Sequence, residues 1–560
     1  MKNRPHFYLQ RLLNLQVLSH SKSFEGFDLK ESLEELQRWQ EKTGESIGEM
    51  IDQLKSKSLS VRWKLVFSEI NSNLQVLAPS LPLSLLALYQ REIAKLDPEL
   101  YLNILQNFAA AELLTTLNGP DDALAESLLK GNSIAVVDWF PTSLGETETT
   151  LLAQKKGDRI QLTGRKNSMF GQFGQLDVPR VYFAYARPEG GTEECMYLVE
   201  KGDIEVKLDP LIANLGVGHV NFGHQDSCFG TFIGTLDNAG PLKQFHNTMR
   251  TQLLLLQSCL ASIAYKRALD FGQNQLIKDM SDEDREVALL YHPLAGDSLL
   301  ELKAFREGLT GAVLQTAFYQ DCVNQSDGEG KEYFEDLLEV YLLVFKVYNS
   351  KHVPQVIQNA LQLSGSTHLE LLGLLEVSAV AGLAAGSELE LSAQLVNQVL
   401  TRDEGRAFTN LMAEFNQVTG LLPKTDAMKE ALGIFNDFVG GLFILVEDIK
   451  SADQPAQTTA NLVHARRITD LFGDVMLCSL LIRQAFEAEK VLEEMGVNFY
   501  NLGQEAVTRP EARPYYNLIV LVEQFSIQHL SKQESQIRII QKNLAPSLNA
   551  LLVSEDQPEP

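Results

Sequence analysis

Apolar positions in the first 130 residues recur at spacings of three and four, in Leu29–Leu36, Ile47–Leu54 and Leu102–Leu117. Pro79, Pro82 and Pro98 mark the breaks between them, so this region is expected to be helical. Between Ile134 and Pro241 the period shortens. Ile160-Gln161-Leu162-Thr163, Val181-Tyr182-Phe183-Ala184-Tyr185 and Met196-Tyr197-Leu198-Val199 are β-branched or aromatic runs punctuated by Gly, Pro and Asp, as an antiparallel sheet requires. From Leu242 the helical period returns and continues to about Leu552, with long stretches at Thr248–Leu276, Leu299–Gln325, Glu332–Leu363 and Asp470–Met495. The order of textures predicts an α+β protein: an N-terminal helical domain (1–133), a central antiparallel β domain (134–241), a helical bundle (242–400) and a C-terminal helical extension (401–553). The last residues, 554–560, are acidic and proline-rich and are expected to be disordered.

Composition narrows the function classes. The 560 residues carry 48 Lys and Arg against 73 Asp and Glu, a net charge of −25. That excess disfavours nucleic acid and anionic membrane surfaces, both of which are bound through basic side chains. The most apolar run, Leu253 to Ala264, is interrupted by Gln257 and Ser258 and falls short of the roughly 20 residues of a bilayer span. Five cysteines stand far apart with no Cys/His cluster, so neither a disulfide framework nor a metal site is expected. The segment Met1–Ser21 is basic but lacks a long apolar stretch and a small-residue cleavage site. It is expected to be a docking helix, and the protein to be cytoplasmic.

Several segments, in order, resemble motifs of the acyl-CoA dehydrogenase superfamily. Asp158 to Lys166 is similar to its "DGyxLxGxK" hairpin, Ala186-Arg187-Pro188 to its "ARP", and Cys195 to Lys201 to "SLFLVPK". Leu215-Gly216 resembles part of "KLGxxG", and Phe232-Ile233-Gly234 with Asn238-Ala239-Gly240 resembles "LIGExxxG". Arg250 and Ala264–Leu269 fit the following helix, and His292-Pro293 with Lys303–Gly308 fits "HPDVRRMLLxxKAxxEG". Thr401 to about Lys532 is similar to the additional helical domain of the larger members, and the whole likeness covers about Leu102 to Lys532.

The resemblance implies FAD-dependent α,β-dehydrogenation of an acyl-CoA: a glutamate takes the α-proton and the flavin takes a hydride. At the positions that the resemblance assigns to this chemistry, the sequence departs. Trp139 and Phe140 stand where the flavin-facing loop has Thr-Glu, and Phe170 and Gly171 replace two serines of a second flavin-facing segment. Phe271–Gln275 lacks the arginine expected to reach a neighbouring subunit's FAD. The glycine turn on the adenine side becomes Ser364-Gly365-Ser366-Thr367-His368. Aligned on the flanking helix, the catalytic glutamate position holds Ala385; an ungapped count from Gly365 puts Glu388 there instead. Alanine cannot accept a proton, while Glu388 and Glu390 equally suit the first turn of a helix.

Three readings follow. In the first, a divergent dehydrogenase uses FAD and Glu388 as a displaced base. In the second, a catalytically silent member serves as a scaffold in a homo-oligomer, or in a hetero-oligomer with a related chain. In the third, the protein binds acyl-CoA without redox chemistry. The replacements predict that the family reaction is impaired or lost.

Overall fold

A computed structural model of the chain describes residues 13, 34, 61–64, 67, 82–119, 122–138, 151–170, 177–191, 193–208, 217–225, 227–235, 240–280, 285–451 and 455–542, the side chains of 96, 167–170 and 455–460 excepted. The helices expected at Leu29–Leu36 and Ile47–Leu54, the docking helix and the acidic tail lie outside these residues, Leu13 and Glu34 apart.

From residue 83 the chain runs through α1 (Leu83–Leu96), α2 (Pro98–Asn118) and α3 (Ala123–Leu129). Asp97 caps α2 by accepting the Leu100 N–H, with Pro98 at the first helical position. The side chain of Asn107 on α2 fastens the start of the sheet. Its oxygen accepts the Ala135 N–H at 2.8 Å, and its amide donates to the carbonyls of Leu128 and Ser133.

Eight strands follow: β1 (Ile134–Val137), β2 (Leu152–Lys156), β3 (Arg159–Phe170), β4 (Arg180–Pro188), β5 (Cys195–Val199), β6 (Ile204–Leu208), β7 (Val217–Phe222) and β8 (Cys228–Thr235). They run in the order β1-β4-β5-β8-β3-β7-β6, with β2 beside β3 and β4. Most pairings are antiparallel as expected, but β1 and β2 both run parallel to β4. Parallel neighbours need a crossover, and the β2–β3 hairpin supplies the intervening chain. Because successive strand residues point to opposite faces, β4 is buried on both sides. Val181, Phe183 and Tyr185 join the helical core, while Tyr182, Ala184 and Ala186 close a smaller core within the sheet.

The bundle is built on α4 (Gly240–Asn274), α5 (Pro293–Gln325) and α6 (Gly328–Ser364), with α7 (Leu371–Leu383) and α8 (Glu388–Gln394) packed against α6. Every residue of α4 from Thr251 to Ser262 is buried, as befits a helix enclosed by others. The helical reading after Leu242 needs one correction: β9 (Leu276–Lys278) and β10 (Glu286–Ala288) form a small antiparallel hairpin between α4 and α5. Their short alternation of single apolar residues is too brief to stand out from helical periodicity. Beyond residue 400 come α9 (Arg406–Thr419), α10 (Asp426–Lys450), α11 (Pro455–Glu494), α12 (Leu502–Thr508), α13 (Arg513–Phe525) and α14 (Ser531–Gln541). Among the described residues no single helix is long and apolar enough to cross a membrane.

The long helix α11 lies against α5 and α6 through glycine notches. A Cβ on Gly473 would stand 2.1 Å from the Tyr348 ring, and one on Gly308 would stand 2.6 Å from Leu477. Beside the first notch, Tyr348 Oη donates to Asp474 at 2.6 Å. Gly473→Ala is therefore expected to force α11 off α6 and to cost about 2–3 kcal/mol in urea unfolding. Unchanged stability would contradict this packing.

Candidate functional site

β4 meets α4, and α4 packs on α6 and α7, along a run of ionisable side chains. His246 and Arg250 are one turn apart on α4, hence on one face. The hydroxyl of Tyr185 lies 2.6 Å from His246 Nε2. Burial, aided by Arg250, pushes His246 down to about 3, so its ring is neutral and can accept that hydroxyl proton. Behind Tyr185, its backbone N–H donates to Asp138 at 3.2 Å, and Lys166 Nζ lies 3.0 Å from Asp138 and 3.6 Å from Glu194. Burial opposes the Lys166 charge, but the two carboxylates outweigh it and hold this ammonium above its ordinary range.

On α6, Glu339, Lys346 and Ser350 share a face. Lys346 is only 3% exposed. Its ammonium donates to the carbonyls of Ala381, at 3.2 Å, and Gly382. It thereby satisfies acceptors that the last turn of α7 would otherwise leave open. No carboxylate is in ion-pair contact with it among the described residues. Burial, reinforced by Arg250 and only partly offset by Glu388, pushes Lys346 down to about 7. Burial also lowers Arg250, against the pull of Glu339 and Tyr185. Arg250 is largely enclosed by protein and keeps some accessible surface.

The chain leaves α7 through Ala385, at φ 60°, and Gly386, at φ 114°. Ala385 is buried and in the left-handed region, a conformation that costs a residue with a Cβ roughly 1 kcal/mol. Ser387 then caps α8 by accepting the Glu390 N–H at 3.2 Å. Glu388 is the first residue of that helix. One of its oxygens accepts from Ser350 Oγ at 2.8 Å, and the other pairs with Arg466 of α11. The Glu339 carboxylate is likewise held, at 2.8 Å, by Arg402.

At the far end of α6, Gly365 ends the helix at φ 55°, and its N–H donates to Leu361 O. This turn meets the segment Phe271–Gln275: the His368 ring stands edge-on to Phe271 at 6.4 Å. The Glu370 carboxylate takes up His368 at 2.9 Å and Arg267 at 3.5 Å. A dinucleotide pyrophosphate would meet the Glu370 carboxylate here, with Arg267 already paired to it, so these residues do not fit FAD. Phe170 ends β3 in register with Val137 and Val217. Trp139, Phe140 and Gly171 lie outside the described residues.

The sequence-derived candidates among the described residues thus separate into the Ala385–Glu388 turn, the Gly365 end of α6 and the Phe170 end of β3. Sequence reasoning passes over Tyr185, His246 and Lys346, and it meets Arg250 only as one letter of a helix motif. One signal was available: Lys346 is the single charge in the run Val340–Tyr348.

Because the unfolded chain holds the Lys346 proton up to its ordinary range near 10.5 and the folded chain releases it near 7, folding is favoured by rising pH between those values. The stability of the wild type relative to Lys346→Met is expected to rise by about 1 kcal/mol per pH unit from pH 7 to 9. Urea unfolding at each pH checks this; parallel curves for the two proteins would contradict it.

No protein-family model matches the sequence, and no curated protein matches it. Solved structures do. Caenorhabditis elegans ACDH-11 in complex with C11-CoA superposes with a TM-score of 0.71 over 97% of this chain and 96% of its own, at 14% identity. Acyl-CoA oxidase-1 of Caenorhabditis elegans, complexed with FAD and ATP, gives 0.56 over 94% of this chain and 91% of its own, at 14% identity. An acyl-CoA dehydrogenase from Bacillus anthracis complexed with FAD gives 0.55 over 89% and 91%, at 12% identity. The order of helices, sheet and helices read from the periodicity is therefore that of the acyl-CoA dehydrogenase fold, and this chain has that fold.

Proposed function

We propose that this protein binds an acyl-CoA in the cleft where β4 meets α4, α6 and α7, and that it does not dehydrogenate it. The observation that carries this reading is the engagement of Glu388. Its carboxylate is occupied by Ser350 and Arg466, and the neighbouring residue at the turn, Ala385, has no proton acceptor. A general base must be free and within reach of its proton. The residues that remain in the cleft bind and orient. Tyr185 and His246 form a neutral donor–acceptor pair, while Arg250 and Lys346 supply positive charge. The C11-CoA complex of the structurally similar ACDH-11 supports acyl-CoA as the ligand class. The family reaction draws its oxidising power from FAD, and the described residues at the Gly365 end favour its absence here.

A second reading, a scaffold or partner subunit, is favoured by the outer side of α7 and its flanks, which expose Leu369, Leu372, Leu383 and Leu389. Apolar side chains grouped in this way suit a protein contact.

Thermal unfolding with decanoyl-CoA, beside a dye-reduction assay with added FAD, tests the proposal. A melting temperature raised by several degrees at saturating decanoyl-CoA, with no dye reduction, is expected. Dye reduction would overturn the reading. An unmoved melting temperature with a molar mass of two or more chains by light scattering would favour the scaffold.

A further inference from the structure

We propose that Arg250 and Lys346 form an anion subsite that takes a carboxylate carried by the ligand, in the place where the chain itself provides none. Two positive side chains lie close together between α4 and α6, and among the described residues neither touches a carboxylate. Arg250 makes no hydrogen bond at all among the described residues, and its Nε is sealed from solvent without a partner. Enclosing cations this way is expensive unless an anion completes the site. The two carboxylates near enough to serve are committed elsewhere: Glu339 to Arg402, and Glu388 to Arg466 and Ser350.

A second, independent observation lies one turn away. Asn349 follows Lys346 by three residues on α6, and Ser378 precedes Ala381, whose carbonyl receives Lys346, by three on α7. Both are 0% exposed, and among the described residues neither the Asn349 amide nor the Ser378 hydroxyl has a hydrogen-bond partner. Gln257, two turns along α4 from Arg250, is in the same state at both amide atoms. Native proteins leave few such groups, and each calls for an explanation. A hydrophilic ligand end, with the water it carries, would satisfy donors and acceptors on all three helices. An aliphatic tail would satisfy none.

The chemistry recognised is a carboxylate, which could come from a free fatty acid or from an acyl-CoA whose chain ends in a second acid. Only the latter source rests on the acyl-CoA reading above. Titration calorimetry with decanoate, decanedioyl-CoA and decanoyl-CoA distinguishes them in the wild type and in Arg250→Gln and Arg250→Lys. At least one of the two carboxylate probes is expected to bind the wild type, and its Kd to rise about ten- to hundredfold in Arg250→Gln. Arg250→Lys, which keeps the charge, is expected to stay within a few-fold of the wild type. Decanoyl-CoA is expected to bind the wild type and Arg250→Gln alike. Decanoate binding without decanoyl-CoA binding would sink the acyl-CoA reading and leave the subsite standing. Two results overturn the subsite: no binding of either carboxylate probe to the wild type, or equal Kd values for them in the wild type and Arg250→Gln. Should Arg250→Gln fail to fold, the same comparison with Lys346→Met decides.

Discussion

The ammonium of Lys346, closed between α6 and the end of α7 with backbone carbonyls as its only partners among the described residues, is the interaction on which this site depends. It holds the last turn of α7 against α6, so that the chain must turn sharply at Ala385 and Gly386 before α8 begins. That turn fixes Glu388 at the first position of α8, facing Ser350 and α11. A buried ammonium without a counter-ion is costly, and the cost appears as a pKa brought down to about 7. The geometry therefore trades stability for a cation held beside the end of α7.

The segment beyond residue 400 completes this electrostatic arrangement. It contributes Arg402 and Arg466, and each draws off one carboxylate that would otherwise serve the inner cations. Arg406 and Arg402 also gather Asp336, which is buried on the same stretch of α6. Its longest helix reaches the bundle by close glycine contacts, which tie Arg466 to the same rigid surface. The C-terminal helices thus decide which charges the cleft retains, besides adding to the core.

Much of the architecture was legible because it rests on periodicity. The helical stretch Glu332–Leu363 falls within α6, Thr248–Leu276 falls within α4 except for its last two residues, and the β4 and β5 runs are strands. Strand direction was not legible: whether β1 meets β4 parallel or antiparallel depends on a crossover, which alternation does not encode. The short β9–β10 hairpin escaped for lack of length. At the site, the sequence drew attention to Ala385 and Glu388 through their place in a motif. It could not show that Glu388 is bound by an arginine 78 residues further on. Arg250, His246 and Tyr185 come from two elements that only the fold brings together. Lys346 was the exception, a charge in an apolar run whose meaning needed the α7 carbonyls.

The central claim is that the cleft holds positive charge and lacks a free carboxylate base. Proton exchange at the α-carbon of bound decanoyl-CoA in deuterium oxide, followed by mass spectrometry, tests it most directly, since exchange needs a base but no oxidant. The account predicts exchange no faster than in a protein-free control. Protein-dependent exchange, lost in Glu388→Gln, would show that Glu388 leaves Arg466 to act as a base and would contradict it.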